Sequence, residues 1–349
     1  HFPNLSFDSV GLYNLVLTGA GAPDLTPPGI TVQAAGFEAP ANSSTGVGTR
    51  PLGLAFGNLN GDSVPDLVTA NGQAQSASVL VNNGQGSFAT PVNQPIGANS
   101  PEDVAVADMN GDGREDFVVV RPSANGVHLF LRQPDGTFTR NDQAAQTNPF
   151  GVAVGPVTQG DTRPDIVVAN VGSASVTVLS QAPNGGYSPT HFGVGQAPNA
   201  VALGDLNGDG RLDIVTSNFD SNSVSLCYQN PDGTFNVVTQ TVSDRPEDVV
   251  IDYIDGDGRL DLAVACASGE LTLLLQKTAN TFTRSNLTAG NIPVAVATGD
   301  INGDGRTDVV VGNLFGGNMT YYQQTAAGGF TSSNLPAGTG PRALVVVDL

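Results

Sequence analysis

Short apolar runs separated by turns rich in Gly, Pro and Asp recur along the whole chain. A representative unit begins with PNAVALGD, continues through the acidic segment LNGDGRL, and is followed by DIVTSN, SVSLCYQN and a PDG turn. Alternating apolar positions in runs of four to eight residues predict β-strands bounded by turns. No segment of useful length has the helical period, so the pattern predicts an all-β fold.

The same unit returns at nearly constant spacing. An Asp that ends the acidic segment lies at Asp66, Asp116, Asp165, Asp213, Asp261 and Asp308, at intervals of 50, 49, 48, 48 and 47 residues, with a weaker copy at Asn14. An aromatic residue recurs in parallel at Phe37, Phe88, Phe138, Tyr187, Phe235, Phe282 and Phe330. Four short antiparallel strands per repeat of this length are typical of a propeller blade. The chain is therefore predicted to be a seven-bladed β-propeller of four-stranded antiparallel blades.

The predicted propeller is one domain spanning residues 1–349. Its blades cover approximately residues 1–45 plus 341–349, 46–95, 96–145, 146–194, 195–242, 243–290 and 291–340. The C-terminal PRALVVVDL reads as an innermost strand, whereas the N-terminal unit lacks one that follows a Pro. We expect the last strand to pair with the N-terminal blade and close the ring, which removes exposed sheet edges.

The charge and composition exclude several classes of partner. The formal net charge is −19, with 13 Lys and Arg against 32 Asp and Glu, which argues against nucleic-acid binding. No apolar run approaches the roughly 20 residues of a spanning helix, so membrane insertion is not expected. Cys227 and Cys266 lie in apolar strand patterns and are either buried thiols or a disulfide, because the sequence does not fix their distance.

The acidic segment has the donor pattern of a cation-binding loop. In Asp205 to Asp213, oxygen-bearing side chains occupy positions 1, 3, 5 and 9, and a glycine occupies position 6. Calcium takes six to eight oxygen ligands and suits a short loop of this kind better than magnesium does. Arg211 is expected to point outward. The alternative is that Asp, Asn and Gly only form polar turns.

Several copies of this loop are candidate metal sites. Three have all four positions: Asp108, Asn110, Asp112 and Asp116; Asp205, Asn207, Asp209 and Asp213; and Asp300, Asn302, Asp304 and Asp308. Two are imperfect, with Asn58, Asn60, Asp62 and Asp66 in one, and Asp255, Asp257 and Asp261 behind Tyr253 in the other. The copy with Val157, Gln159, Asp161 and Asp165 lacks two ligands and is expected to be empty. The expectation is three strong Ca²⁺ sites and up to five in total.

The segments DLNGDGRLDIV, DMNGDGREDFV and DINGDGRTDVV resemble the FG-GAP/VCBS repeats of integrin α-subunit propellers and of many secreted microbial proteins. The resemblance extends from about residue 14 nearly to the end of the chain. It implies a calcium-stabilised seven-bladed propeller at the cell surface or secreted, often part of a larger multidomain chain. It also implies roles in adhesion, in carbohydrate binding, or as an accessory to polysaccharide-active enzymes. Asn58, Val157, Gln159 and Tyr253 depart from the repeat pattern.

A second candidate region is the channel mouth where the innermost strands begin. Polar residues follow the repeated Pro in several units, namely Glu102, Asp103, Asn199, Glu247, Asp248 and Arg342. Propeller ligands commonly bind at such a mouth, although polar residues at strand starts are also often only solvated. The leading hypothesis is a non-catalytic, lectin-like module that binds a glycan or an extracellular protein. The alternative is a polysaccharide-active enzyme, such as a lyase, with its site at this mouth.

Overall fold

The strands of the protein follow the predicted units. The computed structural model describes residues 43–62, 64–84, 87–97, 100–158, 162–337 and 340–348, with the strands at 12–18 and 29–34. The N-terminal strands are Leu12–Thr18 (β1), Gly29–Ala34 (β2) and Ser43–Gly46 (β3). The next unit contains Pro51–Gly57 (β4), Asp66–Asn71 (β5), Ser76–Leu80 (β6) and Val92–Pro95 (β7).

The later units repeat this arrangement. They contain Val104–Ala107 (β8), Asp116–Arg121 (β9), Gly126–Arg132 (β10) and Phe138–Ala144 (β11); Pro149–Gly155 (β12), Asp165–Asn170 (β13), Ser175–Gln181 (β14) and Tyr187–Gly193 (β15); and Pro198–Gly204 (β16), Asp213–Asn218 (β17), Ser223–Gln229 (β18) and Phe235–Thr241 (β19). The last strands are Pro246–Asp252 (β20), Asp261–Cys266 (β21), Glu270–Thr278 (β22) and Thr281–Thr288 (β23); then Pro293–Gly299 (β24), Asp308–Asn313 (β25), Asn318–Gln324 (β26), Phe330–Pro336 (β27) and Pro341–Asp348 (β28). Short 3₁₀ helices lie at Pro122–Ala124 and Val171–Ser173. Among these described residues, no helix has the length and apolar character that crossing a membrane requires.

Each set of four consecutive strands from β4 to β27 forms one antiparallel sheet, so the predicted four-stranded blades are confirmed for these six units. A further four-stranded sheet has the order β28-β1-β2-β3. Its strand β28 pairs antiparallel with β1, with Leu15 opposite Val345, which is the pairing expected of the two chain ends. The side chains of β1 and β2, including Asn14 of the weak repeat copy, lie outside the described residues. The aromatic position Phe37, which follows β2 in the sequence, also lies outside them.

The first strand of each blade lies innermost. Contacts run from β4 to β8, β12, β16, β20, β24 and β28 in order, and β28 also contacts β4. The innermost strands β4, β12, β16, β20 and β24 begin at the repeated Pro and end where the acidic loop begins, and β8 begins three residues after its Pro. The two ends of a seven-residue strand are about 20 Å apart. The repeated Pro residues and the acidic loops therefore lie at opposite ends of the innermost strands.

Apolar contacts between neighbouring blades form the core. Phe117 and Val119 of one blade pack with Val68 and Val79 of the preceding one. The second strands are buried along their whole length on both faces, as in parallel-sheet proteins, since a blade is covered on both sides. The recurring aromatic residues other than Phe37 pack at the margin of these clusters, which is consistent with their predicted packing role.

Two neighbouring tyrosines show the effect of this packing. Tyr321 and Tyr322 are adjacent in β26, and strand alternation predicts that one of them faces away from the sheet. Both are 2% exposed, because both faces of the sheet are covered: Tyr322 packs in the cluster on one face and Tyr321 in the cluster on the other. Their hydroxyl groups donate to the Asp308 Oδ2 atom and to the Thr288 carbonyl oxygen, each at 2.7 Å, which satisfies both buried phenols.

A repeated glutamine joins each of four blades to the preceding blade. The amide near the end of the third strand donates to a backbone carbonyl of the preceding acidic loop. The acceptor is at position 2 in the pairs Gln181 to Met109, Gln276 to Leu206 and Gln324 to Ile254, and at position 1 in the pair Gln229 to Val157. These partners lie 70 to 72 residues apart in sequence. The glutamines therefore satisfy buried carbonyl groups and fix the rotation of one blade relative to the next.

We expect Gln276→Ala to lower the free energy of unfolding by about 1–2 kcal/mol, because the Leu206 carbonyl loses its 2.8 Å partner in a buried position. Equilibrium urea unfolding measures this change as a lower midpoint at constant slope. Gln143→Ala is the matched control, since the Gln143 amide bonds only to the exposed Asn141 side chain. Equal midpoints for the two variants would refute a role for the glutamine in joining blades.

Candidate functional site

The last Asp of each acidic loop is fully buried and tied to its own blade. Asp213 accepts the backbone N–H of Gln229 at 2.8 Å and that of Leu206 at 3.0 Å. Asp116, Asp165 and Asp261 make the same pair of bonds with their own third strand and loop. Burial raises the pKa of Asp213 to about 6, although the two backbone donors oppose the shift. Position 9 therefore has a structural role that is independent of any metal.

The first half of each complete loop is closed by its own backbone. Asp205 accepts hydrogen bonds from the N–H groups of Gly208, Asp209 and Gly210 at 2.8 to 3.0 Å. Gly208 and Gly210 have φ of 75° and 82°, in the left-handed region that glycine adopts without strain. The loops at Asp108 and Asp300 have corresponding bonds. The carboxylate at position 1 thus organises the turn.

The expectation that Arg211 points outward is wrong. Its Nε donates to the Gln229 carbonyl oxygen at 3.1 Å, and its Nη2 forms an ion pair with the Asp209 carboxylate at loop position 5. Arg114 and Arg306 do the same with Asp112 and Asp304. The guanidinium group bridges the loop and the third strand because both partners lie on the same edge of the blade.

The donor set of the complete loops suits a hard cation, since it consists of carboxylate and amide oxygens. In the conformation described, however, those oxygens accept backbone N–H groups or pair with Arg. Among the described residues, no three acidic, His or Cys side chains are placed together to hold a metal ion. The side chains therefore have the right chemistry for calcium, while the loop is closed by the protein's own donors.

The imperfect loops differ from one another. In the unit of Asn58, one oxygen of Asp66, the Oδ2 atom, is buried without a hydrogen-bond partner, and Glu115 of the next blade accepts the Asn58 N–H. In the loop behind the exposed Tyr253, Lys277 pairs with Asp255, and Arg259 pairs with Asp257 at 3.0 Å. In the unit of Asp165, both the N–H and the hydroxyl of Thr158 bond to the Asp165 carboxylate at 2.8 Å. Gln159 and Asp161 lie outside the described residues.

The opposite end of the innermost strands is built from a repeated bulge. The pairing with the second strand skips the residue after the repeated Pro, as between Pro246 and Asp248. Such bulges redirect a side chain away from the regular ladder. The bulged residues, at which the register shifts, are Leu52, Phe150, Asn199, Glu247 and Val294, and Arg342 is likewise skipped in the pairing of β28 with β1. Glu102 holds the equivalent position after Pro101. We call these seven residues the mouth ring.

Strained backbone surrounds the mouth ring. The residue before the repeated Pro has a positive φ in six units without being glycine, at Arg50, Ser100, Asn148, Ala197, Arg245 and Ile292. This conformation is unusual for any side chain and most unusual for a β-branched one. In five units it is held by a hydrogen bond from the hairpin that follows the second strand, for example from Leu314 N to Ile292 O at 2.9 Å. Strain of this kind clusters at functional sites.

The position after the bulge is crowded by the next blade. A Cβ atom on Gly53 or Gly151 would lie 2.6 Å from backbone atoms of the neighbouring innermost strand. Asp103 and Asp248 occupy this position and accept the N–H of Val152 and Val296 at 2.9 Å, one blade further on, as well as that of their own next residue at 2.8 Å. Asp103 and Asp248 therefore connect adjacent innermost strands by hydrogen bonds, so the structure shows a structural role for these two residues.

The remaining mouth residues interact electrostatically. Asn199 donates to the Glu247 Oε2 atom at 2.9 Å. Burial raises the pKa of Glu102 to about 7, opposed by Arg50 and Arg342, and burial also raises the pKa of Glu247, opposed by Asn199 and Arg342. Burial lowers the pKa of Arg342, and Arg50 lowers it further. The six polar residues predicted from sequence are thus at one mouth, where Glu102, Glu247 and Arg342 affect one another.

Two residues at this mouth could have been found from sequence and were not singled out. Phe150 is the mouth-ring residue of the blade β12–β15 and is only partly buried, and Arg50 directly precedes Pro51, the repeated Pro of the blade β4–β7. The signal in both cases is position relative to the repeated Pro. The described thiols Cys227 and Cys266 are free and buried, which settles the open alternative for these two residues.

Comparisons with known proteins agree with this architecture. The FG-GAP-like repeat matches residues 58–119, 158–216, 205–251 and 254–311, more than half of the chain. No curated protein sequence matches significantly.

Solved structures share the fold at low sequence identity. A putative 6-phosphogluconolactonase from Bacteroides fragilis is similar over 99% of this chain and 100% of its own, with a TM-score of 0.75 and 15% identity. A protein from Lactobacillus plantarum is similar over 97% of this chain and 100% of its own, with a TM-score of 0.71 and 14% identity. A periplasmic gluconolactonase from Pseudomonas aeruginosa is similar over 97% of this chain and 99% of its own, with a TM-score of 0.70 and 16% identity. The repeat match over most of the units and the four-stranded blades lead to one conclusion: this chain is a β-propeller that belongs to the FG-GAP-like repeat family.

Proposed function

We propose that this protein is an extracellular binding propeller that holds a glycan or a protein ligand at the mouth ring without catalysing a reaction. The observation that carries the proposal is the convergence of Glu102, Asn199, Glu247 and Arg342 at one strained end of the innermost strands. At the opposite end, the first carboxylate of each complete loop is bonded to backbone N–H groups of its own turn. Binding sites typically combine partly apolar surroundings with a few convergent polar groups.

The proposal includes a closed ring of seven blades. Contacts of β28 with both β24 and β4, and its pairing with β1, support closure by the two chain ends. A closed ring keeps the mouth residues of different blades at fixed distances, which a ligand site requires. It also leaves no inner sheet edge available for aggregation.

Calcium is proposed as a stabilising ion at the three complete loops and at up to two others. The support is the side-chain chemistry of positions 1, 3, 5 and 9 and the family to which the chain belongs. Asp205, Asn207, Asp209 and Asp213 would hold the ion in one loop, which would supply positive charge among like-charged carboxylates. The millimolar calcium of extracellular fluids suits loops of this kind, and this supports a secreted or cell-surface location.

A second candidate is an enzyme acting on a carbohydrate. Carboxyl groups with pKa values raised towards neutrality lie at the mouth, as an acid or base catalyst requires. Two proteins of similar fold are named as a gluconolactonase and a putative 6-phosphogluconolactonase. Lactone hydrolysis and polysaccharide lysis are the two reactions to test, the second by release of unsaturated products from acidic polysaccharides. Turnover in either assay would replace the non-catalytic proposal.

We expect the protein to bind members of a glycan array or of an array of extracellular proteins. The variant Glu247→Gln should lower the binding signal at least tenfold, because it alters a carboxylate that the Asn199 amide orients. Asp232→Asn is the control because Asp232 is an exposed carboxylate in the turn after β18, at the loop end of its blade and away from the mouth ring. Retained binding in Glu247→Gln would place the ligand elsewhere on the propeller.

Calcium should raise the thermal midpoint by several degrees, because the unfolded chain cannot assemble the loops and one site gives about 2.7 kcal/mol at a hundredfold excess over its dissociation constant. Differential scanning fluorimetry with calcium and with a chelator measures the difference. Asp209→Ala should reduce that calcium-dependent difference. Asp232→Ala, in an exposed turn, should preserve it. An identical melt in both buffers would remove calcium from the proposal.

In calcium-free buffer, Glu102→Gln should stabilise the protein at pH 8 and have little effect at pH 4.5. Burial raises the folded-state pKa of Glu102 to about 7 from 4.5, so between these pH values the folded state holds a proton that the unfolded chain has lost. The free energy of unfolding therefore falls as the pH rises towards 7, and a Gln at this position removes that loss. The expected gain at pH 8 is roughly 1 kcal/mol after allowance for solvent screening. Urea unfolding at both pH values measures it, and a pH-independent difference would contradict the assigned pKa.

A further inference from the structure

Two arginines lie next to each other at the mouth ring. Arg342 is the skipped residue at the start of β28, and Arg50 directly precedes Pro51 at the start of β4. These two innermost strands are neighbours in the ring. The adjacent pair of blades shows the same arrangement. There, Leu52 is equivalent to Arg342 and Ser100 is equivalent to Arg50. Both of these side chains lie close to the hairpin glycine Gly72. The repeat therefore brings Arg342 and Arg50 together.

These two guanidinium groups differ from those of the loops. Arg114, Arg211 and Arg306 each pair with an Asp two residues away, and Arg245 lies 5.0 Å from the ring centre of Phe219. Within the described part of the chain, no carboxylate forms an ion pair with Arg342 or Arg50 at 4.0 Å or less. Two neighbouring cations, one of them partly buried, repel each other, and Glu102 and Glu247 offset this repulsion only through longer-range attraction rather than through a contact ion pair.

The mouth also has acceptors suited to hydroxyl groups. Glu247 is oriented by the Asn199 amide at 2.9 Å, and Glu102 lies on the blade next to that of Arg50. Phe150, between the blades of Glu102 and Asn199, adds a partly buried aromatic ring. Arginine forks bind carboxylate and phosphate groups with two parallel hydrogen bonds, whereas carboxylates accept bonds from sugar hydroxyls. The mouth therefore combines groups that bind an anion with groups that bind hydroxyls.

From this arrangement we infer that the mouth ring binds a polyhydroxylated anion, a sugar acid or a sugar phosphate, with its anionic group between Arg342 and Arg50 and its hydroxyl groups on Glu102, Glu247 and Asn199. This inference rests on the proposed function and specifies the ligand class. The same chemistry is available from a carboxylate sugar and from a phosphorylated one, so the experiment includes both.

Ligand-observed NMR titration of the full chain tests the inference with four probes: D-glucuronate, D-glucose 6-phosphate, D-glucose and inorganic phosphate. We expect at least one anionic sugar to bind at least tenfold more tightly than glucose and phosphate, and the affinity to fall with added salt. The better of the two identifies the anionic group. Arg342→Gln and Arg50→Gln should each weaken that binding at least tenfold, while Arg140→Gln, an exposed arginine on an outer strand, should not. Unchanged melting temperatures in the calcium buffer show that each variant is folded.

The outcomes separate the inference from the proposed function. Glucose binding that equals anionic-sugar binding and survives Arg342→Gln overturns the anion assignment, yet leaves a glycan site at the mouth. Phosphate binding as tight as that of the anionic sugars overturns the role of the hydroxyl groups. Array binding that Glu247→Gln abolishes, with no response to any of the four probes, overturns the ligand class alone. No binding in either array and no response to any of the four probes overturns the proposed function as well.

Discussion

A buried carboxylate at the start of each second strand is the interaction on which the blades depend. Asp213 and its equivalents accept backbone N–H groups from the acidic loop and from the end of the third strand, which lie far apart in sequence. A carboxylate that accepts two backbone donors offsets the cost of its own burial and leaves no buried N–H unsatisfied. In the blades of Asp116, Asp165, Asp213 and Asp261, the innermost, second and third strands are thereby held at the loop end. In the blade of Asp66, one carboxylate oxygen is buried without a hydrogen-bond partner.

This constraint separates the two ends of the propeller. At the loop end, the Asp, the loop Arg and the inter-blade Gln have little freedom to vary because each satisfies a defined backbone group. At the mouth end, the bulged residue has no ladder partner, so its identity is set neither by pairing nor by core packing. Leu52, Phe150, Glu247 and Arg342 occupy equivalent positions with unrelated chemistry. Such variation on a repeated frame allows a ligand site to be built without altering the fold.

The regular part of the structure could be predicted from the sequence, and the reason is repetition. Spacing of Asp116, Asp165 and Asp213 predicts the blade length, and the repeated Pro predicts where the mouth lies. The partners of Arg211 and Gln276 could not be predicted, because one bonds to a different strand and the other to a loop 70 residues away. The roles of Asp103 and Asp248 also depend on a neighbouring blade, so their hydrogen bonds are visible only in three dimensions.

The ion pair between Arg211 and Asp209 affects how the loops can respond to a cation. The N–H groups of Gly208 and Gly210 bond to the Asp205 carboxylate, so the protein's own donors shape the turn that would hold the proposed cation. It would have to compete with the guanidinium group for the carboxylate at position 5. Because that guanidinium also bonds to the third strand through Nε, its release need not open the blade. Ion binding and blade integrity are therefore coupled only through position 9, which lies at the buried end of the loop.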